Sequence, residues 1–373
     1  MVDSEQITVA FAGGGTGGHI YPNVGIAEAL VQRRPTARPF FVVSERPGDA
    51  KTMEALPYPW LASAARPLPT MSKPITAVQF ATGWTKAGLQ TARMLRSERV
   101  AAVVATGGFV SGPVVMAARM LGIPAVMVNL DGVPGAANRA LVRLCRKVFS
   151  AYASEYLPGA EVVGLPLRQI ALSGEPAASA RKALHLDPDR HTLFVTGATH
   201  GAESIIRAMM ALVEQSPDFV AALEGWQVLH QCGTFDVATL QRAYDEAGVR
   251  AVVVDYLAGM GQAFAAADLV LSRSGAGSTA EAWANGMPTV FMPNPYHADQ
   301  HQRLNAQPMV DAGGAIMVTD HIEPADNVAD LGPTLSALLR DDVRREQLRE
   351  AARASRPPDG AAAVADWLHA HLG

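Results

Sequence analysis

Short apolar runs alternate with longer amphipathic stretches along the whole chain. Nine runs have the length and composition of buried strands, at 7–11, 40–43, 100–105, 125–128, 192–196, 226–231, 251–254, 268–271 and 289–292. Strands separated in this way by helical stretches predict parallel sheets with crossover helices. A glycine turn follows the first strand of each half, at 13–18 and 197–202, and another follows a later strand, at 107–108 and 274–277. We therefore expect an α/β protein made of two Rossmann-like domains.

The boundary between the two domains is expected near 163–168, where glycine and proline interrupt the pattern. This predicts an N-terminal domain over 1–165 and a C-terminal domain over 166–352. The tail is helical in composition except at 357–360, which reads Pro-Pro-Asp-Gly and should divide it into two helices. The last helix, about 353–373, is expected to pack back on the first domain.

The composition is that of a globular protein with 49% hydrophobic residues among 373, enough for two cores. Two cysteines, Cys145 and Cys232, give no disulfide framework, so we expect a reducing compartment, and the N-terminus does not have the pattern of a secretory leader. The stretch 101–130 carries one charge, Arg119, but its glycines and prolines divide it into strand, helix and strand rather than a membrane span.

The charge is unevenly distributed. The chain carries a net charge of −4, yet residues 51–150 contain twelve Lys and Arg against three acids. This basic region indicates an anionic partner, either a phosphorylated substrate or an anionic membrane surface; no nucleic-acid motif supports the third possibility.

Within the basic region, the segment 71–96 has the mixture of residues expected of a surface that enters lipid headgroups. Its apolar members include Ile75, Val78, Phe80 and Trp84, and its basic members are Lys73, Lys86, Arg93 and Arg96. An ordinary amphipathic helix packed on a sheet explains the same pattern.

The turn at 274–277 ends an apolar strand and opens a helix, which is the arrangement of a phosphate site. Backbone N–H groups of a first helical turn have no partner inside the helix, and the positive end of the helix dipole faces the same way. Ser278 and Glu281 also fit the S-x-x-E capping box, so Glu281 either binds a ligand or caps its own helix. A second turn of this type, at 13–18, suggests a ligand held between two domains.

The turn at 13–18 matches the dinucleotide fingerprint G-x-G-x-x-G, which leaves a nicotinamide oxidoreductase open as an alternative. His19 at its end is a candidate general base, because an imidazole with a pKa of about 6.5 accepts a proton at neutral pH. Its alternative is a histidine that only bonds backbone at a helix start. The loop 294–305 is rich in amide, imidazole and carboxylate groups suited to sugar hydroxyls; His297, Asp299 and His301 lack the spacing of a metal site, and no metal is expected.

Taken together, these motifs resemble those of a known family, the MurG N-acetylglucosaminyltransferases of peptidoglycan synthesis. The similarity runs through most of the chain, and its specific motifs are Gly13-Gly-Gly-Thr-Gly-Gly-His19 with Pro22, Gly107-Gly-Phe-Val-Ser-Gly-Pro113, Val163-Gly-Leu-Pro-Leu-Arg168, Arg273-Ser-Gly-Ala276 with Glu281, and His301-Gln-Arg-Leu-Asn-Ala306. The resemblance implies a GT-B fold, two Rossmann-like domains with parallel sheets facing across a cleft. It also implies inverting transfer of GlcNAc from UDP-GlcNAc to the C4 hydroxyl of undecaprenyl-pyrophosphoryl-MurNAc-pentapeptide (lipid I), giving lipid II, at the cytoplasmic face of the membrane and without a cofactor.

The resemblance also implies roles for individual residues. His19 and Asp131 are the catalytic candidates, and Gly14, Gly15, Gly107, Gly108 and Asp131 lie on the acceptor side. The donor site comprises Thr16, Gly17, Gly18, Arg168, Thr199, Leu257, Ser274, Gly275, Ala276, Gly277, Ser278, Glu281, His301 and Gln302. Among these, Glu281 is expected on the ribose hydroxyls, the 274–276 turn with Ser278 on the diphosphate, and His301 with Gln302 on the GlcNAc hydroxyls.

Two segments depart from the family's pattern. The usual H-E-x-N acceptor segment reads Val128-Asn129-Leu130-Asp131, and the G-G-S turn reads Gly197-Ala198-Thr199. Three alternatives therefore stay open beside lipid I as acceptor: a GT-B enzyme with another lipid acceptor, a UDP-GlcNAc 2-epimerase, and a sugar-nucleotide-binding paralogue with weakened catalysis.

Overall fold

The computed structural model describes residues 6–15, 17–67, 74–197, 202–296 and 299–372. The chain divides into two compact units, the first formed by Met1–Gln169 with Pro358–Gly373 and the second by Ile170–Pro357. The chain therefore first passes from one unit to the other after Gln169, four residues later than the boundary expected after residue 165.

The first unit contains a seven-stranded parallel sheet of order β3-β2-β1-β4-β5-β6-β7. Its strands are β1 (Ile7–Gly13), β2 (Ala37–Ser44), β3 (Trp60–Ser63), β4 (Val100–Gly107), β5 (Ala125–Asn129), β6 (Lys147–Ser150) and β7 (Glu161–Val162). Its helices are α1 (Gly17–Arg33), α2 (Pro47–Glu54), α3 (Pro74–Ser97), α4 (Ser111–Met120), α5 (Ala136–Leu141) and the last helix of the chain, α15 (Gly360–His371).

The two glycine turns of this unit begin at neighbouring strand ends. The strand order reverses between β1 and β4, and Gly13 pairs with Gly107 in their register. Ligands of open α/β sheets bind outside the carboxyl ends of the strands at such a reversal. The buried centre of the sheet therefore places both turns at the position where this fold binds ligands.

The second unit contains a six-stranded parallel sheet of order β10-β9-β8-β11-β12-β13. Its strands are β8 (His191–Thr196), β9 (Trp226–Gln231), β10 (Ala251–Val254), β11 (Leu269–Ser272), β12 (Thr289–Phe291) and β13 (Ala315–Met317). Its helices are α6 (Ala177–Ala183), α7 (Glu203–Gln215), α8 (Pro217–Ala222), α9 (Val237–Glu246), α10 (Met260–Ala266), α11 (Ala276–Ala284), α12 (His301–Asp311), α13 (Pro324–Arg340) and α14 (Asp342–Ala354). The order reverses between β8 and β11, where Thr196 pairs with Ser272.

The end of the chain returns to the first unit. After the proline pair, Asp359 accepts hydrogen bonds from the N–H groups of Ala361 and Ala362 and so starts α15. This helix packs on α1, where Arg33 and Asp366 form an ion pair.

The nine predicted strands correspond to β1, β2, β4, β5 and β8 to β12, whereas β3, β6, β7 and β13 were not predicted. The α/β fold class is therefore confirmed. The stretch 101–130 forms β4, α4 and β5 as expected. Among the residues that the structure describes, no helix is both long and apolar enough to cross a membrane.

Candidate functional site

A tight turn joins β11 to α11 in the second unit. Ser272 is the last strand residue, Gly275 takes the N-cap position, and the helix begins at Ala276 with no capping bond from a described side chain. Ser278 is therefore the third residue of the helix and Glu281 the sixth. The capping-box interpretation is wrong, because the capping side chain must come from the residue that precedes the helix. The first turn of α11 keeps its backbone N–H groups for another partner, and an anion suits them.

Two hydroxyl groups at this turn are buried without a hydrogen-bond partner among the described residues. They are Ser274 Oγ, in the turn itself, and Thr279 Oγ1, on the first part of α11. Both side chains belong to residues that are fully buried. Leaving such a group unpaired costs about 1–3 kcal/mol, so native proteins rarely keep one without a reason. The Ser274 hydroxyl therefore lies at the helix start with its hydrogen-bonding capacity unused by the described residues.

A buried ion pair fixes the backbone just before this turn. Arg273 Nη1 lies 2.7 Å from Asp320 Oδ2 and donates to the Met292 carbonyl, while Arg273 Nη2 donates to Ser204 Oγ at 2.6 Å. Although burial alone would raise it, the hydrogen bond from Ser204 and the charge of Arg273 hold the pKa of Asp320 below its usual value. The ion pair is therefore intact at neutral pH and holds the start of the turn against the core.

The remaining donor candidates of the second unit lie at the ends of its other strands and on α12. Leu257 follows β10 and is buried, whereas its neighbour Tyr256 is half exposed. His301 and Gln302 begin α12, where His301 Nδ1 lies 2.8 Å from Asp299 Oδ1 and Gln302 Oε1 accepts the Asn294 N–H. The Asp299 contact orients the imidazole, and the Gln302 bond holds the loop that leads into the helix.

In the first unit the two glycine turns touch each other. Gly107 and Gly108 both have positive φ, and a Cβ atom on Gly108 would collide with the carbonyl oxygen of Gly14. Gly15 also has positive φ, and a Cβ there would meet the ring of Phe109 at 2.8 Å. Larger residues are excluded at these positions, and the ends of α1 and α4 are brought together.

His19 is the third residue of α1 and is half buried beside Gly107. Its carbonyl oxygen accepts a hydrogen bond of 2.8 Å from Thr106 Oγ1, which fixes the start of the helix on β4. Burial lowers the pKa of the imidazole below its usual value, although the negative charges of Asp131 and Asp49 oppose this. The neutral ring present at pH 7 can accept a proton, as a general base requires.

Asp131 follows β5, and an amide network fixes its position. Asn129 Nδ2 donates to the Asp131 carbonyl at 2.7 Å and to Ser150 Oγ at 3.1 Å, while Asn129 Oδ1 accepts from Asn138 Nδ2 at 3.2 Å. Within the described part of the chain there is no group of three His, Cys, Asp or Glu side chains that could hold a metal ion.

Comparison with known proteins identifies the family. The glycosyltransferase family 28 N-terminal domain matches residues 9–150, and the C-terminal domain of the same family matches 192–362. A UDP-N-acetylglucosamine--N-acetylmuramyl-(pentapeptide) pyrophosphoryl-undecaprenol N-acetylglucosamine transferase of Clavibacter sepedonicus is 37% identical over 363 residues, covering 96% of this chain and 94% of its own. The protein of the same name from Myxococcus xanthus is 30% identical over 370 residues, covering 97% and 92%. The chain belongs to the MurG family.

Solved structures agree on the fold. MurG of Acinetobacter baumannii superposes with a TM-score of 0.71 at 24% identity, covering 98% of this chain and 99% of that one. A calicheamicin glycosyltransferase gives a TM-score of 0.66 at 18% identity, with 99% of both chains covered. The GT-B fold expected from the MurG resemblance is thereby confirmed.

Some residues that the MurG resemblance placed at the donor belong to the first unit or lie outside the described residues. Arg168 belongs to the first unit, where its guanidinium stacks on the Tyr21 ring with 3.8 Å between Cζ and the ring centroid. Gly17 and Gly18 are the first residues of α1 in that unit. Thr16 and Thr199 lie outside the described residues, as does His297.

The sequence did not point to several residues that hold the first glycine turn and Asp131. Asp49, in the first turn of α2, and Arg46, which precedes that helix, bond the backbone of Gly15. Asn138, on α5, completes the amide network beside Asp131. The Gly15 contacts join residues far apart in the chain, and only the pairing of β1 with β2 could have suggested that the segments after these strands meet.

Proposed function

We propose that this chain transfers GlcNAc from UDP-GlcNAc to the C4 hydroxyl of undecaprenyl-pyrophosphoryl-MurNAc-pentapeptide, producing lipid II and UDP. The name shared by relatives that match nearly the whole chain supports this reaction. The observation that carries it is the start of α11, which no described side chain caps and beside which the Ser274 hydroxyl is buried with no partner among the described residues, because this arrangement suits the donor diphosphate.

The proposed chemistry is a single displacement with inversion. His19 removes the proton of the acceptor hydroxyl, whose oxygen attacks the anomeric carbon as the bond from that carbon to the UDP phosphate oxygen breaks. The electron pair leaves with UDP, and the α11 N–H groups with Ser274 stabilise the new charge on the diphosphate. An anion at a helix N-terminus gains about 0.3–1 kcal/mol, and up to about 2 kcal/mol where the site is partly buried.

On the acceptor side, we assign Gly14, Gly15, Gly107 and Gly108 to the acceptor diphosphate. These four residues have no side chains of their own and precede the first turns of α1 and α4. Asp131, held by Asn129, completes this side. Asn129 belongs to the segment that departs from the family's H-E-x-N pattern, and here it holds Asp131 in place. This structural role is compatible with lipid I as acceptor.

The reaction can be tested with radiolabelled UDP-GlcNAc and a set of acceptors. Lipid I should give lipid II with one UDP released per sugar transferred, while diacylglycerol should give no labelled lipid. Transfer to diacylglycerol alone would support the alternative lipid acceptor, and conversion of the donor without any acceptor would support the epimerase. Tight UDP binding with no product from any acceptor would indicate the weakened paralogue.

We also propose that the first unit docks on anionic lipid. In α3 the exposed residues Lys86, Leu89 and Arg93 lie on one helical face, and α4, which packs on α3, exposes Met116 and Met120. Lysine or arginine near an anionic surface contributes about 1 kcal/mol each, and apolar side chains that enter the interface add to this.

The members of this surface differ from those expected. Trp84 packs against α4, since a Cβ atom on Gly112 would lie 2.6 Å from its ring, and Phe80 packs on Trp84 at 5.4 Å between centroids. Lys73 lies outside the described residues. We therefore assign lipid contact to Leu89, Met116 and Met120 instead of Trp84.

Docking can be measured by co-sedimentation with vesicles that contain anionic phospholipid. Binding should be present at low salt, fade at 1 M salt, where the Debye length is about 3 Å, and fall when Lys86 and Arg93 are both changed to glutamate. The matched control reverses two exposed charges of the second unit, Lys182 and Arg242, and should leave binding unchanged. Equal losses in both double variants, or no wild-type binding at low salt, would overturn the proposal.

A further inference from the structure

Asp49 is a buried acid that packs against the first glycine turn. It is the third residue of α2 and is 3% exposed. Its Oδ2 atom accepts three hydrogen bonds, from the Gly15 N–H at 2.6 Å, from Ser44 Oγ at 2.6 Å and from the Ser44 N–H at 3.2 Å. The side chain therefore ties the end of β2 to a turn 34 residues earlier in the chain.

This contact determines the shape of the turn. A Cβ atom on Gly14 would lie 2.6 Å from Asp49 Oδ2, so the carboxylate closely covers the turn from behind. Gly15 has a φ of +96°, and its carbonyl accepts a bond of 2.5 Å from Arg46 Nη1. The Gly15 N–H is thus held from the first turn of α2 and its carbonyl from the residue that precedes α2, and α1, which carries His19, starts two residues later.

The negative charge of the same carboxylate also influences the pKa of His19. Asp131 has the larger effect and Asp49 the smaller one, and both raise the pKa of the imidazole against the lowering effect of burial. Arg46 stands on the exposed side of the turn and bonds the Gly15 carbonyl, with its guanidinium 5.3 Å from the Phe109 ring centroid. The described groups that set the protonation of His19 thus come from α2 and from the loop after β5.

We propose that Asp49 is a positioning residue for His19, which fixes the first glycine turn through the Gly15 N–H and whose negative charge acts on the imidazole. Its structural part is independent of the reaction proposed above, whereas its consequence for turnover rests on that reaction. Asp49 itself touches no reacting atom.

The structural part can be tested by NMR titration of the histidines, with His19 assigned by its loss in His19→Gln. Asp49→Asn keeps an oxygen that can accept hydrogen bonds but removes the charge, so the His19 pKa should fall. Asp131→Asn should lower it further, because Asp131 has the larger effect. The matched control is Glu54→Gln, which removes an exposed charge from the same helix and should leave the His19 pKa unchanged. An unchanged His19 pKa in Asp49→Asn, or an equal change in Glu54→Gln, would overturn the charge role.

The hydrogen-bond role has its own readout. In Asp49→Asn the Gly15 amide should keep most of its protection from hydrogen exchange, whereas in Asp49→Ala it should lose it. If Asp49→Ala does not fold, Ser44→Ala, which removes one of the bonds that orient the carboxylate, should give a partial loss. Full protection of the Gly15 amide in the folded variants that lack these groups would contradict the role.

Turnover separates this inference from the proposed function. If wild-type protein converts lipid I, kcat of Asp49→Asn should be about 10- to 100-fold lower with the KM for UDP-GlcNAc nearly unchanged, and the acidic limb of its pH profile should move to lower pH. Wild-type protein that binds UDP-GlcNAc but transfers nothing would contradict the proposed reaction without affecting the NMR result. Active protein whose Asp49→Asn variant has a normal kcat and pH profile would sink the positioning role alone.

Discussion

Replacing Ser274 by alanine should weaken the binding of UDP without lowering the stability of the free protein. Ser274→Ala removes a buried group that has no hydrogen-bond partner among the described residues, so the free protein should not lose stability. Relief of an unpaired hydroxyl corresponds to a gain of about 1–3 kcal/mol, reduced by the small loss of packing around one oxygen. If the hydroxyl donates to the donor diphosphate, the same change removes a charge-assisted bond worth about 1.5–3 kcal/mol. UDP should then bind about 10- to 150-fold more weakly to a protein that is as stable as wild type or more so.

The assay pairs urea unfolding of the free protein with calorimetric titration of UDP. Thr279→Val is the matched control, because it removes the other unpaired buried hydroxyl of this region while preserving the shape of the side chain. It should raise stability and leave UDP affinity nearly unchanged, since its hydroxyl lies within α11 rather than in the turn. Unchanged UDP affinity in a stable Ser274→Ala protein would refute the assignment of this hydroxyl to the ligand.

Three further predictions address the base, the ribose and the core. His19→Ala should lower kcat by about 10²–10⁴ with donor affinity nearly constant, measured by steady-state transfer and UDP titration, and near-normal turnover would pass the base role to Asp131. Glu281→Ala should weaken UDP binding by about 1.5–3 kcal/mol in calorimetry. It should not cause the loss of stability that follows removal of a helix cap, because Glu281 lies too far into α11 to cap it. Undiminished UDP affinity would contradict the assignment of Glu281 to the ribose. Burial lowers the pKa of His230 to about 3, so between pH 6.5 and 3 this histidine is protonated in the unfolded chain but neutral in the folded one. The free energy of unfolding therefore decreases as the pH is lowered through that window. His230→Gln should flatten this dependence in urea unfolding at pH 7.5 and 5, and an equal slope in both proteins would contradict it.

Much of the fold was predictable from the sequence because its central strands are buried on both faces. Strands such as β4 and β11 consist almost entirely of apolar residues, and such runs are visible without any partner. The missed strands are short and mostly lie toward the sheet edges. In β7 both residues are exposed, and in β6 the first residue, Lys147, pairs with Glu161 across the strands, so neither segment has the hydrophobicity of a core strand.

The candidate site was predictable where a local backbone motif forms it and unpredictable where distant side chains do. The glycine turns are local, and the positive φ values at Gly15, Gly107 and Gly108 explain why glycine stands there. The capping box failed because S-x-x-E matched a segment already inside α11. The contact between Asp49 and Gly15 could not be predicted, because Gly15 follows a different strand and a single acid after a strand has no distinctive pattern.

The most direct test of the account is the chemical identity of the product formed from lipid I and UDP-GlcNAc. Mass spectrometry and NMR of the purified lipid product should show one added N-acetylhexosamine, attached to the MurNAc C4 oxygen with the anomeric configuration opposite to that of the donor. The His19→Ala protein should yield the same product far more slowly. A product with retained configuration, a sugar on a different hydroxyl, or no lipid product from protein that binds UDP-GlcNAc would contradict the proposed transfer reaction.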